Sequence, residues 1–383
     1  MNITTWYASN YESQLRDRYI DLAHISPLLS SYKNQFKIAS IGVSENGKDI
    51  PMVTIGSGKK KVLGWSQMHG NEATTTKAIF DFLKFIAQKE FFQKEINEFL
   101  AHYTFYIIPI LNPDGASLYT RVNANKVDLN RDAQETTQNE SRVLQSVFNE
   151  LQPDLCLNLH DQRTIYGLAT GLPATVSFLA PSADKERSIT PARIVAMEHI
   201  VRMNRALQQY IPGQVGRYDD GFNANCVGDT FQMAGVPTIL FEAGHYALDY
   251  SRETTRSFIF YAFLELFDIT NQSETPVTYE DYFKIPQNNL TYNDVVLRNV
   301  RVDAYKQPIA VAIQYVEELE GDVISFKPIV SKIGGCDEIK GHKEIDLKGN
   351  GILINSQENI FEDLIISTIV SKMDNSVINI LVK

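Results

Sequence analysis

Any chemistry in this chain would start from His69, Glu72 and His160. The segment His69-Gly70-Asn71-Glu72 sets an imidazole and a carboxylate three positions apart, and an apolar run ends in His160, 88 positions after Glu72. Two histidines and one carboxylate make a three-ligand zinc site that keeps a fourth position open, as a catalytic site requires. One anionic ligand leaves such a site net positive, able to acidify water and polarise a carbonyl. Manganese or cobalt would accept the same ligand types. Taken singly, each residue reads better as a core histidine or as a first-turn glutamate favoured by the helix dipole. The set carries the signal, because it is accompanied by "LNPDG", "VDLNR" and "TILFEAG".

Those segments hold the other candidates. Asp128 is the best carboxylate to accept the second N–H of His69 and so orient it. Arg131 is a fixed-charge fork suited to a substrate carboxylate, and Asn130 can donate beside it. Arg121 could steady the oxyanion formed when water attacks a carbonyl. Glu242 stands where an apolar strand meets Ala243-Gly244, and partial desolvation there raises a carboxyl toward the range of a general base. Tyr218, before the loop "DDGFNANCVGD", could offer a hydroxyl to substrate, although exposed loop tyrosines are common. His245 would at most brace the site, Asp132 and Asp161 neighbour site residues, and His24, His102, His199 and His342 read as surface or packing histidines.

These residues need elements to place them. Residues 11–34 read as helix then loop, followed by strands "FKIASIGV" and "IPMVTIGS" around the turn Glu45-Asn46-Gly47-Lys48. A strand at Lys61–Trp65 leads to His69, and Ile79, Phe82, Leu83 and Ile86 then mark an amphipathic helix. "YTFYIIPI" is a buried strand running into a turn at Asn112-Pro113-Asp114-Gly115, and "DLCLNLH" ends in His160. Thr190-Pro191 reads as the cap and first residue of a helix. Val236–Phe241 is a buried strand carrying Glu242, and residues 252–267 form an apolar helix. Strands alternating with helices indicate a layered α/β unit, with the site at the carboxyl ends of its strands.

Composition shifts near residue 270. "DITNQSETPVT" reads as a linker, and the β-branched segments "DVVLRNVRVDAY", "IAVAIQYV", "DVISFKPIV", "GILINS" and "SVINILVK" predict a small all-β domain over 276–383, after a catalytic domain over 1–270. The formal net charge of −10 argues against binding nucleic acid. No run of about 18 apolar residues spans a membrane, and the N-terminus lacks a basic start followed by an apolar stretch. Cys156, Cys226 and Cys336 are odd in number and far apart, which does not suit a disulfide framework. The expectation is a cytoplasmic protein, with Cys156 a core residue.

"HGNE", "LNPDG", an arginine before "DLNR", a distant histidine and "FEAG", in this order, resemble the zinc carboxypeptidase family of the carboxypeptidase A type. The resemblance covers about residues 11–267. It implies an α/β/α sandwich around a mixed, mostly parallel twisted sheet. It also implies one zinc ion on His69, Glu72 and His160, with Asp128 behind the first histidine. By the same resemblance Arg121 is the oxyanion arginine, Asn130 and Arg131 grip the substrate carboxylate, and Glu242 is the general base. Tyr218 fits the place of the family's mobile tyrosine only loosely. Asp132 stands where an asparagine is frequent, which would alter the charge on the substrate side. The specificity position falls near Val227 or Gly228, neither of them charged. The implied reaction is removal of a C-terminal residue from a peptide. A deacylase or amidase acting on an N-acyl amino acid or cell-wall peptide would use the same machinery. An inactive peptide- or glycan-binding member is the alternative from another class, and retention of Glu242 speaks against it.

Overall fold

The computed structural model describes residues 1–270, 276–335 and 339–382. Its main sheet has eight strands: β1 (Lys37–Val43), β2 (Asp49–Gly56), β3 (Lys60–Ser66), β4 (Tyr103–Ile108), β5 (Leu155–Asp161), β7 (Val176–Leu179), β8 (Val215–Arg217) and β9 (Thr238–Ala243); β6 (Tyr166–Gly167) lies outside it. The order is β1-β2-β4-β3-β5-β9-β7-β8. The central four, β4-β3-β5-β9, run parallel, while β1, β2 and β7 pair antiparallel with their inner neighbours. The fold is therefore mixed α/β.

Strand alternation sends side chains to two apolar layers. Val62, Leu155, Leu157 and Leu159 pack on one face with helices α1 (Ile3–Asn10), α2 (Leu22–Tyr32), α3 (Thr74–Ala87), α4 (Gln93–His102), α7 (Pro191–Leu207) and α9 (Glu253–Leu266). Leu63, Trp65 and Cys156 pack on the other with α6 (Asn139–Leu151) and α8 (Val227–Met233). A short α5 (Pro113–Leu118) lies between β4 and the site loop. No helix of the described residues is long and apolar enough to cross a membrane.

Local departures from the sequence reading have local causes. Residues 11–34 are loop first and helix second, because the Asp21 side chain accepts the Ala23 and His24 N–H groups and so starts α2 there. Asn112-Pro113-Asp114-Gly115 opens α5 rather than making a free turn: Asn112 caps the Gly115 N–H, and Pro113 takes the first helical position. Thr190 does cap α7, accepting the Arg193 N–H.

The C-terminal part holds a four-stranded sheet, β13-β12-β11-β14, from β11 (Tyr292–Val300), β12 (Ile309–Glu320), β13 (Val323–Gly334) and β14 (Lys340–Asp346). A hairpin of β15 (Ile352–Ile354) and β16 (Ile369–Ser371) covers one face, and β10 (Asn289–Leu290) pairs with β6. β14, "KGHKEID", went unread because a half-exposed polar strand lacks the β-branched pattern. "SVINILVK" forms no ladder beyond a bridge at Val377, and its last residue lies outside the described residues. The linker reading falls partly on residues 271–275, and Cys336 on 336–338, both outside the described residues. Cys156 and Cys226 are free thiols.

Gly70 shows how tightly the site loop is set. A Cβ there would lie 2.0 Å from the Gly115 carbonyl carbon. Gly70→Ala is expected to cost about 1–3 kcal/mol of stability through overpacking, read as a lower thermal midpoint.

Candidate metal centre and substrate cleft

Parallel strands β3, β5 and β9 lie side by side, so their carboxyl ends open on one crevice. His69 and Glu72 follow β3 in the turn into α3; His160 and Glu242 sit directly opposite each other in the β5–β9 ladder. Chain segments distant in sequence thus bring four groups together.

His69 Nδ1 lies 2.8 Å from Glu72 Oε1, and His160 Nδ1 lies 2.8 Å from Glu72 Oε2. The two Nδ1 atoms are 3.1 Å apart, and all three residues are buried. His69 Nε2 faces Asp128 Oδ1 at 3.0 Å, so the ring proton belongs on Nε2. A neutral His69 then points the lone pair of Nδ1 at a carboxylate and at a second imidazole. Lone pairs aimed at one another are satisfied by a shared cation, and the nitrogen, nitrogen and oxygen donors suit zinc. The donor set fits that metal.

Asp128 is itself held in place. Oδ1 accepts the Asn130 N–H at 2.9 Å, and Arg121 donates Nε and Nη2 to Oδ2, each at 3.0 Å. Burial pushes the Asp128 carboxyl up, but His69 and Arg121 overcome it and hold the group well below the usual range. Burial likewise opposes the charge of Glu72, and the two imidazoles win there too. Arg121 Nη1 lies 3.5 Å from Glu72 Oε1, which ties the arginine to the same group. Asp128→Asn would weaken the partner of His69, and metal affinity in a chelator competition is expected to drop about 10–100-fold.

Glu242 is 9 % exposed, and its Oε2 has no hydrogen-bond partner among the described residues. Burial, then repulsion from Glu72 and Asp161, pushes its carboxyl well above the usual range. Among the described residues, no hydrogen bond assigns that oxygen a structural task.

These groups share a chamber of about 300 Å³ with Asn130, Arg131 and Tyr218. Asn130 accepts the Val227 N–H at 3.1 Å, which leaves its amide donor unused among the bonds formed. Arg131 donates Nη1 to the Asn130 carbonyl at 2.7 Å and to Cys226 Sγ at 3.0 Å, and its guanidinium stays exposed. The Tyr218 hydroxyl bonds the Tyr166 hydroxyl at 2.6 Å.

One reading changes and another narrows. Asp132 is not on the substrate side: it is buried and accepts the backbone N–H groups of Thr137 and Gln138, ordering the approach to α6. Of the surface or packing reading of His342, the packing half holds. His342 lies 4.2 Å, ring to ring, from buried His245, and burial lowers it to about 4. Sequence reasoning also missed Asp229, which lines the chamber next to Gly228 and whose carboxyl burial raises to about 6. Its signal was available, since position 229 is the next residue in "CVGD". Asp161 is a structural hub: its N–H reaches Glu72 Oε2 at 3.1 Å, and its Oδ2 accepts the Thr74 N–H at 3.0 Å, locking β5 to the start of α3.

Residues 22–165 match the family model for zinc carboxypeptidases. The solved structures that resemble the fold include a metallo-carboxypeptidase from Burkholderia cenocepacia, with TM-score 0.54, 17 % identity, and 66 % of this chain and 69 % of that one covered. A Pseudomonas aeruginosa metallo-carboxypeptidase follows at TM-score 0.50 and 18 % identity, covering 65 % and 68 %. Bovine thrombin-activatable fibrinolysis inhibitor gives TM-score 0.52 and 15 % identity, covering 67 % and 98 %. No curated protein matches. At these identities the likeness shows the fold, while the matched segment contains His69, Glu72, Arg121, Asp128, Asn130, Arg131 and His160.

Proposed function

We propose that this chain, with a zinc carboxypeptidase segment and the matching fold, is a zinc-dependent metallocarboxypeptidase that hydrolyses a peptide or amide bond next to a free carboxylate. One observation carries the reading. The convergent lone pairs of His69, Glu72 and His160 share a chamber with a buried carboxylate, Glu242, whose Oε2 has no partner among the described residues, and with an exposed guanidinium, Arg131.

Zinc bound by His69, Glu72 and His160 would supply Lewis acidity toward water and toward the scissile carbonyl. Asp128 fixes the tautomer of His69. Arg131 and Asn130 bind the substrate carboxylate and so set which bond lies at the centre. Glu242 Oε2 takes the proton of the attacking water and returns it to the leaving nitrogen. Arg121, held by Asp128 beside Glu72, offers its guanidinium to the negative charge that develops on the carbonyl oxygen. Tyr218 donates its hydroxyl to the substrate once the bond to Tyr166 is exchanged.

The size of the chamber favours a second reading, a deacylase of N-acyl amino acids. About 300 Å³ is the lower end of small-molecule sites. Both readings require the carboxylate clamp. Arg131→Ala is expected to remove about 1.5–3 kcal/mol of binding to a charged group, raising KM tenfold or more for free-acid substrates and leaving amidated ones unchanged. Equal effects on both would remove the clamp.

A further inference from the structure

A second chamber of about 330 Å³ opens on the other side of the metal group. Glu72, Arg121, Asp161, Gln162 and Arg163 wall both chambers. Asn130, Arg131 and Asp229 line only the first, whereas Gln314, Tyr315, Glu317 and Phe326 of β12 and β13 line only the second. If the substrate carboxylate is held by Arg131, the scissile bond lies at the shared wall. The acyl portion must then leave toward the second chamber.

The β12–β13 wall is fixed to the exit of β5. Gln314 donates to Thr164 and to Asp294, the Tyr250 hydroxyl donates to Asp294 at 3.0 Å, and His342 meets the Thr164 carbonyl at 2.7 Å. Arg18 pairs with Glu317 at 2.9 Å, and the Tyr119 hydroxyl donates to the same carboxylate. Tyr250, Tyr315 and Phe326 form an aromatic cluster, with ring centroids 5.2 to 6.2 Å apart. These contacts come from both regions of the chain, so the wall is built in.

The charges of this chamber are unevenly served. Asp294 and Glu317 are each bound by protein donors, and Asp161 Oδ2 is bound by Thr74, although Asp161 Oδ1 has no partner. Two cations have no carboxylate at ion-pair distance among the described residues. The guanidinium of Arg252, a residue 1 % exposed, bonds only the carbonyls of Ala243 and Gln162 among the described residues, and its Nε is unpartnered there. Arg163 is exposed at the junction of the chambers and bonds nothing among the described residues.

We infer that the C-terminal β region is part of the substrate cleft: with the main sheet it encloses the subsite for the acyl portion of the substrate, an acyl group carrying an anionic side chain that Arg163 meets. This rests on the proposed function for the placement of the carboxylate.

Binding to zinc-loaded Glu242→Gln protein separates the two. The ligands are N-acetylglutamyl-alanine, N-acetylglutaminyl-alanine and acetyl-alanine, whose acyl group is too short to reach the chamber. The glutamyl ligand is expected to bind about tenfold tighter than the glutaminyl one, and a further Arg163→Gln change to erase that preference. Phe326→Ala is expected to loosen both residue-bearing ligands about fivefold and acetyl-alanine less than about twofold, as lost packing in the outer chamber would. Should Phe326→Ala not fold, the exposed Arg163→Gln variant still decides. Equal affinity for the glutamyl and glutaminyl ligands, an equal effect of Phe326→Ala on all three, or no binding at all overturns the inference. The expected binding pattern in a protein whose wild type hydrolyses none of the three removes the proposed reaction and keeps the subsite.

Discussion

Glu242→Gln should reduce kcat by about 10²–10⁴-fold, the usual contribution of a positioned general base, while leaving metal content and thermal midpoint essentially intact. Glutamine keeps the shape and loses the proton affinity. Glu242 Oε2 makes no hydrogen bond among the described residues, so the substitution breaks no contact that supports β9. The carboxylates nearest the metal group are all engaged elsewhere, which is why the proposal gives this role to Glu242. Glu72 lies between two imidazoles, Asp128 is bound by His69 and Arg121, and Asp161 is engaged by Thr74. Burial beside Glu72 and Asp161 raises the proton affinity of Glu242. Metal analysis beside steady-state kinetics checks the expectation. Near wild-type turnover in the variant would remove the base.

His160→Ala should abolish both metal binding and activity. The substitution removes one of three donors while the backbone pairing of β5 with β9 stays in place. The expected result is about one zinc per chain in the wild type and almost none in the variant after dialysis, since two protein ligands do not complete the site. A linked measurement follows from mass action. Zinc at about 1,000 times its Kd stabilises the folded chain by about 4 kcal/mol, so a chelator should lower the thermal midpoint of the wild type. The same chelator should not move the midpoint of His160→Ala. A variant that keeps its zinc would place the metal elsewhere.

Much of the site was legible because its residues sit beside local landmarks. Each of His69, His160 and Glu242 follows an apolar β run, and a parallel sheet collects the ends of such runs. The "DLNR" segment carries its roles in adjacent positions: Asp128 reaches His69 and Asn130 bonds Val227, while Arg131 stays exposed. What was not legible depends on distant partners. Nothing in "NLHDQRT" tells that Arg163 bonds nothing among the described residues while Gln162 and Thr164 are tied to Asn288 and Gln314, because those partners lie 126 and 150 positions away. His342 read as a surface or packing histidine for the same reason: its strand is polar and half exposed, and which of the two it is depends on its docking against Thr164, His245 and Tyr292. Asp132 misled in the opposite direction. Its place beside Arg131 suggested the substrate, whereas its side chain turns to the backbone of Thr137 and Gln138.

The most direct measurement is mass spectrometry of products from matched peptides with free and amidated C-termini, with Glu242→Gln as the control. The expected result is loss of single C-terminal residues from the free acids alone, and only by the wild type. No Glu242-dependent product, from a protein shown to hold one zinc per chain, would contradict the account.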